Sequence, residues 1–156
     1  MKKRYLSSLL ILLILIQGCA LNQYQQVKIN NNNYLVNFDI GIPKEIQAKI
    51  NSALKSSAGS TSDKTITIDI TNYKSSQYDI YSGNSLRSLE KEIKSSLKIK
   101  ININKTSINK SLMSMKRYSS IELNPLAEKE MLNFIKNEMF DDLYNQIILE
   151  VSLIDL

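Results

Sequence analysis

Hydrophobic and polar residues alternate along four stretches of the chain, which is the pattern of strands with one buried face. The apolar positions of the first stretch are Tyr34, Val36, Phe38, Ile40 and Ile42. Those of the second are Ile66, Ile68 and Ile70, and this strand is expected to continue through Tyr73 and Tyr78 toward Tyr81. A turn over 107–109 leads into a fourth strand over 110–118. Four strands are therefore predicted, and the third needs an argument of its own.

The third stretch fits both the period of a helix and the period of a strand. Leu86, Leu89 and Ile93 are spaced three and four apart, as on one side of a helix. From Leu97 onward, however, isoleucines alternate with lysine and asparagine. Leu89 and Ile93 are at odd positions like these isoleucines, so on a strand they would lie on the same face. We predict one strand over about 88–105, with a short helix over 86–94 as the alternative. A turn over 82–85 precedes it.

Two helices complete the pattern. Pro43 suits the first helical turn and precedes an apolar stripe at Ile46, Ile50, Ala53 and Leu54, with an end over 56–61. Asn124-Pro125 is typical of a second helix start, and a helix of about 25 residues would span roughly 38 Å. Its apolar positions are Leu126, Met131, Leu132, Ile135, Met139, Leu143, Ile147 and Val151. The order β-α-β-β-β-α predicts an α+β fold: a mostly antiparallel four-stranded sheet with two helices packed on one face. Met113, Met115, Met131 and Met139 are expected in its core.

The composition excludes most catalytic chemistry. The 156 residues suffice for one domain and include no His, no Trp, one Cys and four Gly. Without imidazole there is no Ser-His-Asp or Cys-His machinery, and one Cys cannot build the common zinc sites. The glycines form no phosphate-binding loop. We expect a binding or assembly protein, with no enzymatic activity and no metal or other cofactor.

The N-terminus has the three parts of an export signal. Lys2, Lys3 and Arg4 precede an apolar run over 6–16, and Ile16-Gln17-Gly18-Cys19 resembles the lipobox of bacterial lipoproteins. A transmembrane helix is the first alternative, but eleven residues reach only about half of a bilayer core. A soluble secreted protein is the second, and it leaves the position of the sole Cys unexplained. The sequence predicts a signal peptide over 1–18, a Cys19 that carries diacylglyceryl and N-acyl groups, a polar tether over 19–33 and one domain over 34–156.

Charge is distributed unevenly along the mature chain. Removal of the signal lowers the net charge from +5 to +2. Residues 19–120 hold 15 basic and 7 acidic side chains, whereas residues 121–156 hold 2 and 8. This asymmetry indicates two surfaces with different partners, although solvated surfaces alone can also produce it.

The C-terminal part contains a series of motifs: Met115-Lys116-Arg117-Tyr118, then Asn124-Pro125-Leu126-Ala127-Glu128-Lys129-Glu130, and a helix that follows through Gln146-Ile147-Ile148. This pattern resembles that of LptE, the LPS-assembly lipoprotein family. It covers about 40 residues, with the lipobox and the element order in support. The family has a basic residue near the start of the last helix, which aligns with Glu128 or, shifted by one, with Lys129. Its Arg near the start of the third strand has Arg87 as the nearest counterpart.

The resemblance implies a function without catalysis. Such a protein is anchored in the outer membrane, a location that Ala20 after the lipidated Cys also favours by the enteric sorting rule. It occupies the lumen of the β-barrel LptD, helps it to assemble and binds lipopolysaccharide. A generic envelope lipoprotein that binds another periplasmic protein or peptidoglycan, or an inhibitor of an envelope hydrolase, is the alternative.

Basic residues concentrate where lipopolysaccharide phosphates would bind. Residues 87–117 hold nine Lys and Arg against two Glu, and cations, Arg above all, bind phosphate. Strand parity places Lys94, Lys98 and Lys100 on one face, and Arg87 and Lys91 on the other. The candidate ligand-binding residues are Arg87, Lys91, Lys94, Lys98, Lys100 and Lys129. The competing interpretation is that these lysines merely solvate the sheet and discourage edge pairing. Nucleic acid is not an expected partner of an exported protein.

Overall fold

A computed structural model describes residues 32–56, 65–81, 88–104, 106–119 and 125–154. The elements are β1 (Asn33–Phe38), α1 (Lys44–Ser56), β2 (Thr65–Tyr81), β3 (Ser88–Ile103), β4 (Thr106–Ser119) and α2 (Pro125–Ile154). The predicted order of elements is confirmed. The predicted turn over 82–85 and most of the predicted end of α1 lie outside the described residues.

The four strands form one sheet in the order β1-β2-β3-β4. β1 is parallel to β2, across the connection that contains α1, and the other two pairings are antiparallel. Both helices pack on the same face, because residues of α1 and α2 belong to one buried cluster with Ile66, Ile68 and Ile70. The predicted α+β architecture is therefore confirmed. We call the side that bears the helices the helix face and the opposite side the outer face.

β1 is shorter than its sequence pattern predicts. Alternation continues to Ile42, but the strand ends at Phe38 and Ile40 is fully exposed. The amide of Ile40 donates to Asp39 Oδ1 at 2.8 Å, and that of Ile42 donates to the Asp39 carbonyl at 3.1 Å. This local turn competes with the ladder, and it places Ile42 in the core at the start of α1.

Residues 88–103 form a strand, so the alternative of a helix over 86–94 is wrong for the described part of that segment. The predicted turn over 107–109 is also wrong. β4 begins at Thr106, and Ile108 pairs with Ile101. The chain reverses at Asn104, whose φ of 53° lies in the left-handed region that Asn tolerates. β3 and β4 pair along nearly their whole length, from Ile103 with Thr106 to Glu90 with Ser119.

α2 has 30 residues and packs on β4 and β3 and against α1. Its buried side chains are Ile135, Met139, Leu143, Ile147, Ile148 and Val151. Leu126, predicted to face the core, is 68% exposed. Within the described residues, neither helix is long and apolar enough to span a membrane.

Polar residues divide the helix-face core into two clusters. The larger contains the isoleucines of β2 and most of α1 and α2, and the smaller contains Ile93, Tyr118, Ile135 and Met139. Between them lie the buried Ser95 and Ser114. The Ser95 hydroxyl donates to Ser75 Oγ at 3.1 Å, and that of Ser114 donates to Asp142 Oδ2 at 2.9 Å. We call Ser75, Ser95 and Ser114 the serine belt. Beside it, the β2–β3 register shifts between Thr71 and Lys74.

Candidate anion-binding face of the sheet

The acidic residues of α2 neutralise basic residues on the helix side of the molecule. Lys116 Nζ lies 3.2 Å from Asp142 Oδ2 and 3.8 Å from Glu138 Oε2. The other pairs are Lys110 with Glu150 at 3.3 Å, Lys91 with Glu128 at 2.7 Å, and Lys49 with Asp141. The opposite charges of the two chain segments thus meet where α2 packs on the sheet and on α1.

The outer face keeps lysines without such partners. Lys94, Lys98 and Lys100 are exposed on β3 and alternate with the buried Leu97, Ile99 and Ile101, so the prediction that these three lysines share a face is confirmed. None of the three forms an ion pair within the described part of the chain. Because a strand rises about 3.3 Å per residue, Lys98 and Lys100 lie about 7 Å apart along β3, and Lys94 lies about 13 Å from Lys98.

A groove of about 790 Å³ crosses the outer face beside Lys98 and Lys100. All four strands or their ends contribute to it. Its polar lining residues are Asn37, Asp39, Asp69, Thr71, Lys98, Lys100, Asn109, Lys110 and Ser111. The volume is that of a small-molecule site, and the lining offers cations, amides, hydroxyls and carboxylates to a polar ligand.

Two amides orient the carboxylate of Asp69 in this groove. Asn37 Nδ2 donates to Asp69 Oδ1 at 2.7 Å, and Asn102 Nδ2 donates to Asp69 Oδ2 at 3.3 Å. Lys100 is the register partner of Asp69 on β3. A carboxylate accepts more than one hydrogen bond per oxygen, so Asp69 retains acceptor capacity for a hydroxyl.

Around Lys94 the outer face exposes apolar side chains among polar ones. Met113 and Met115 are each 48% exposed, and Tyr78 is 54% exposed. The expectation that both methionines lie in the core is wrong, because Leu112 and Tyr118 on β4 face the helices and leave the opposite parity to the methionines. That parity was a signal available in the sequence, since Met113 and Met115 share it with the polar Ser111 and Arg117. Arg117 donates to Glu92 Oε2 at 2.8 Å at the far end of this region.

Lys91 lies on the helix face, as its parity predicts, and does not join the outer-face lysines. It donates a hydrogen bond to Glu128, which is the main cause that raises the Lys91 pKa above its ordinary value. Its register partner Tyr118 is buried, and burial raises the pKa of the phenol. Gln77 donates to the Tyr118 hydroxyl at 3.2 Å. This polar cluster joins the start of α2 to the sheet.

The remaining candidate residues are only partly covered by the structure. Lys129 is exposed on the first turns of α2, next to the Glu128 that pairs with Lys91. Arg87 and Cys19 lie outside the described residues, so their roles stay predictions. Nowhere in the described ranges do three or more His, Cys, Asp or Glu side chains gather in a way that could hold a metal ion.

No protein-family model matches the sequence, and no match was found among curated proteins. Solved structures do share the fold. A minor lipoprotein from Acinetobacter baumannii aligns with 83% of this chain and 96% of its own at 12% identity and a TM-score of 0.64. Rare lipoprotein B from Shewanella oneidensis aligns with 80% and 96% at 9% identity and a TM-score of 0.68. An uncharacterized lipoprotein B from Nitrosomonas europaea aligns with 85% and 90% at 14% identity and a TM-score of 0.67. The chain thus has a fold found in small bacterial lipoproteins.

Proposed function

We propose that this chain is an envelope lipoprotein, anchored in the outer membrane through an acylated Cys19, that binds lipopolysaccharide within an LptD-type β-barrel. Three lines of argument support the proposal. The first is the basic and apolar signal peptide predicted over 1–18, which is followed directly by Cys19. The second is a fold shared with bacterial lipoproteins, and the third is the LptE-like C-terminal pattern. The role is binding and assembly rather than catalysis.

One observation carries the ligand assignment: the outer face presents Lys94, Lys98 and Lys100 without ion-pair partners in the described chain, although α2 supplies carboxylates to other lysines. Unpaired lysines beside a polar groove fit a ligand that carries several phosphates. Lipopolysaccharide has such phosphates, and an exported lipoprotein of the outer membrane would meet it.

The lysines are tested by removing their charge. In titrations of the mature chain with lipopolysaccharide, replacing Lys94, Lys98 and Lys100 by Ser should weaken binding by about tenfold or more, because the loss of even one charge-assisted hydrogen bond, about 1.5–3 kcal/mol, corresponds to that factor. The matched control replaces Lys44, Lys55 and Lys136, which are exposed on the helices, and removes the same charge. Equal losses in both variants would mean that only net charge matters and would refute the site.

The barrel partner is tested separately. A tagged chain is isolated from detergent-solubilised outer membranes, and stoichiometric partners are identified by mass. One large β-barrel protein at a one-to-one ratio is the expected result. Recovery of the chain alone, or with peptidoglycan enzymes, would favour the generic envelope lipoprotein. In the same experiment, a Cys19→Ser chain should lose its acyl mass and leave the membrane fraction.

A further inference from the structure

The outer face changes chemical character along β3. Near the C-terminal part of the strand, Lys98 and Lys100 border the polar groove. Near its N-terminal part, Lys94 lies among the exposed apolar side chains of Met113, Met115 and Tyr78. Lys94 and Lys98 lie four residue steps apart on β3, which corresponds to about 13 Å along the strand. One continuous surface therefore joins a polar end to an apolar end.

The polar end fits a phosphorylated sugar better than a bare phosphate. Lys98 and Lys100 alone would satisfy a phosphate, because they lie two positions apart on the same face of β3. The groove also contains the amide of Asn109, the hydroxyls of Thr71 and Ser111, and the oriented carboxylate of Asp69. Amides, hydroxyls and carboxylates are the partners that sugar hydroxyls require.

The apolar end is unusual for the solvent side of a sheet. Met113 and Met115 are neighbours of equal parity on β4, and Met115 is the register partner of Lys94. Tyr78 lies on the other side of β3, where its register partner is Glu92. Methionine side chains adapt to irregular apolar partners, so this patch of three exposed side chains offers apolar contacts to a ligand on both sides of Lys94. A purely polar ligand would leave this patch uncovered.

Resting on the function proposed above, we propose that the outer face binds an acylated, phosphorylated sugar in one fixed direction along β3. The sugar and its phosphate occupy the groove at Lys98 and Lys100, and the acyl chains lie over Met113, Met115 and Tyr78. Lys94 lies between the two ends, where its stem contacts the apolar part and its ammonium group remains near the headgroup. The ligand thus runs from the C-terminal toward the N-terminal part of the strand.

Methyl resonances of methionine report on this arrangement without any substitution in the proposed site. The full mature chain, with Cys19→Ser to omit the anchor, is labelled at the methionine methyl groups and titrated with a phosphorylated lipid A disaccharide and with its fully deacylated form. The acylated ligand should shift the Met113 and Met115 signals, whereas the deacylated one should bind and leave them in place. The buried Met139 serves as an internal reference for unchanged folding. Equal shifts from both ligands, or none from the acylated one, would overturn the proposed direction.

Two double variants test the polar end and the apolar end of the outer face separately, through their effects on ligand affinity. Lys98→Ser with Lys100→Ser should weaken both ligands about tenfold. Met113→Ser with Met115→Ser should weaken the acylated ligand about fivefold and the deacylated ligand less than twofold, since only acyl chains contact the patch. Inorganic phosphate and phosphatidic acid vesicles distinguish a phosphate-only site: binding as tight as that of the disaccharide would remove the sugar from the proposal. If the unsubstituted chain binds no lipopolysaccharide, the proposed function itself fails, whereas binding with a different variant pattern refutes only the direction.

Discussion

Gln146 illustrates how one side chain protects the exposed edge of β4. Its Nε2 donates to the Met113 carbonyl at 3.0 Å, and its Oε1 accepts from the Met113 amide at 3.4 Å. An edge strand otherwise offers such backbone groups to another chain. The side-chain amide therefore takes the place that a neighbouring strand would fill at this residue.

Replacement of Gln146 by Leu should have two effects. The free energy of unfolding should fall by about 1–2 kcal/mol, because two backbone groups lose their partner. Self-association should rise, because the edge becomes available. Urea unfolding and sedimentation at increasing concentration measure the two effects, and Asn145→Leu, at the exposed neighbouring position, is the control. An unchanged monomer would show that the edge needs no protection at Met113.

Because of Lys91 and Tyr118, the free energy of unfolding should depend on pH in the alkaline range. Both pKa values are raised in the folded chain, chiefly by the Glu128 hydrogen bond for Lys91 and by burial for Tyr118. The folded state therefore retains protons that the unfolded state releases near pH 10. This contribution is complete below the unfolded values and is lost as the pH rises through the folded ones.

Unfolding free energies measured between pH 8 and pH 12 should decrease above about pH 10. The decrease should be smaller in a chain with Lys91→Gln and Tyr118→Phe. Lys94→Gln, which removes an exposed lysine without an ion pair in the described chain, should keep the steeper decrease. A double variant with the slope of the unsubstituted chain would show that other groups cause the pH dependence.

At the scale of elements, the period and parity of the apolar residues predicted most of the strands and helices. Alternating isoleucines on β2 and β3 and the stripe of α1 have only one arrangement that buries them, so element order and face were predictable. Local turns were not. The hydrogen bonds of Asp39 end β1 before its pattern ends, and Asn104 reverses the chain in a left-handed conformation that alternation does not reveal. The groove was also beyond prediction, because it depends on the register that brings Asn37, Asp69 and Lys100 together.

The serine belt predicts unequal stability along the strands. The smaller cluster contains four buried side chains next to polar groups, whereas the larger one has both helices over it. Opening free energies follow local apolar burial. Amides of 90–95 and 114–119 should therefore exchange with solvent faster than those of 97–103.

Met139→Ala tests this division. Met139 is fully buried in the smaller cluster, and the substitution should cost about 2–5 kcal/mol. It should accelerate amide exchange at 90–95 and 114–119 more than at 97–103. Leu143→Ala, equally buried in the larger cluster, should affect both regions. Uniform acceleration by Met139→Ala would indicate one cooperative unit.

For the whole molecule, the decisive property is where the charge lies. The helix face is largely neutralised by α2, and the outer face retains its lysines. A helix layer and a sheet lie about 10 Å apart, comparable to the Debye length of about 8 Å at physiological salt. The carboxylates of α2 should therefore have little influence on an anion bound to the outer face.

For the proposed lipopolysaccharide site, this separation predicts that affinity depends on which face carries the charge and not on the net charge of the molecule. Glu138→Gln with Asp141→Asn raises the net charge by two, yet should change the dissociation constant less than about twofold, because these exposed carboxylates lie on the opposite side of the sheet, more than a Debye length from the bound anion at physiological salt. Lys98→Ser with Lys100→Ser changes the charge by the same amount in the opposite sense and should weaken binding about tenfold. The effect of the first pair should be smaller at 0.3 M than at 0.05 M salt, because the Debye length is shorter than about 10 Å at the higher concentration and longer at the lower one. If the first pair strengthened binding as much as the second weakens it, attraction by the whole molecule would explain the affinity, and the outer face would lose its special role.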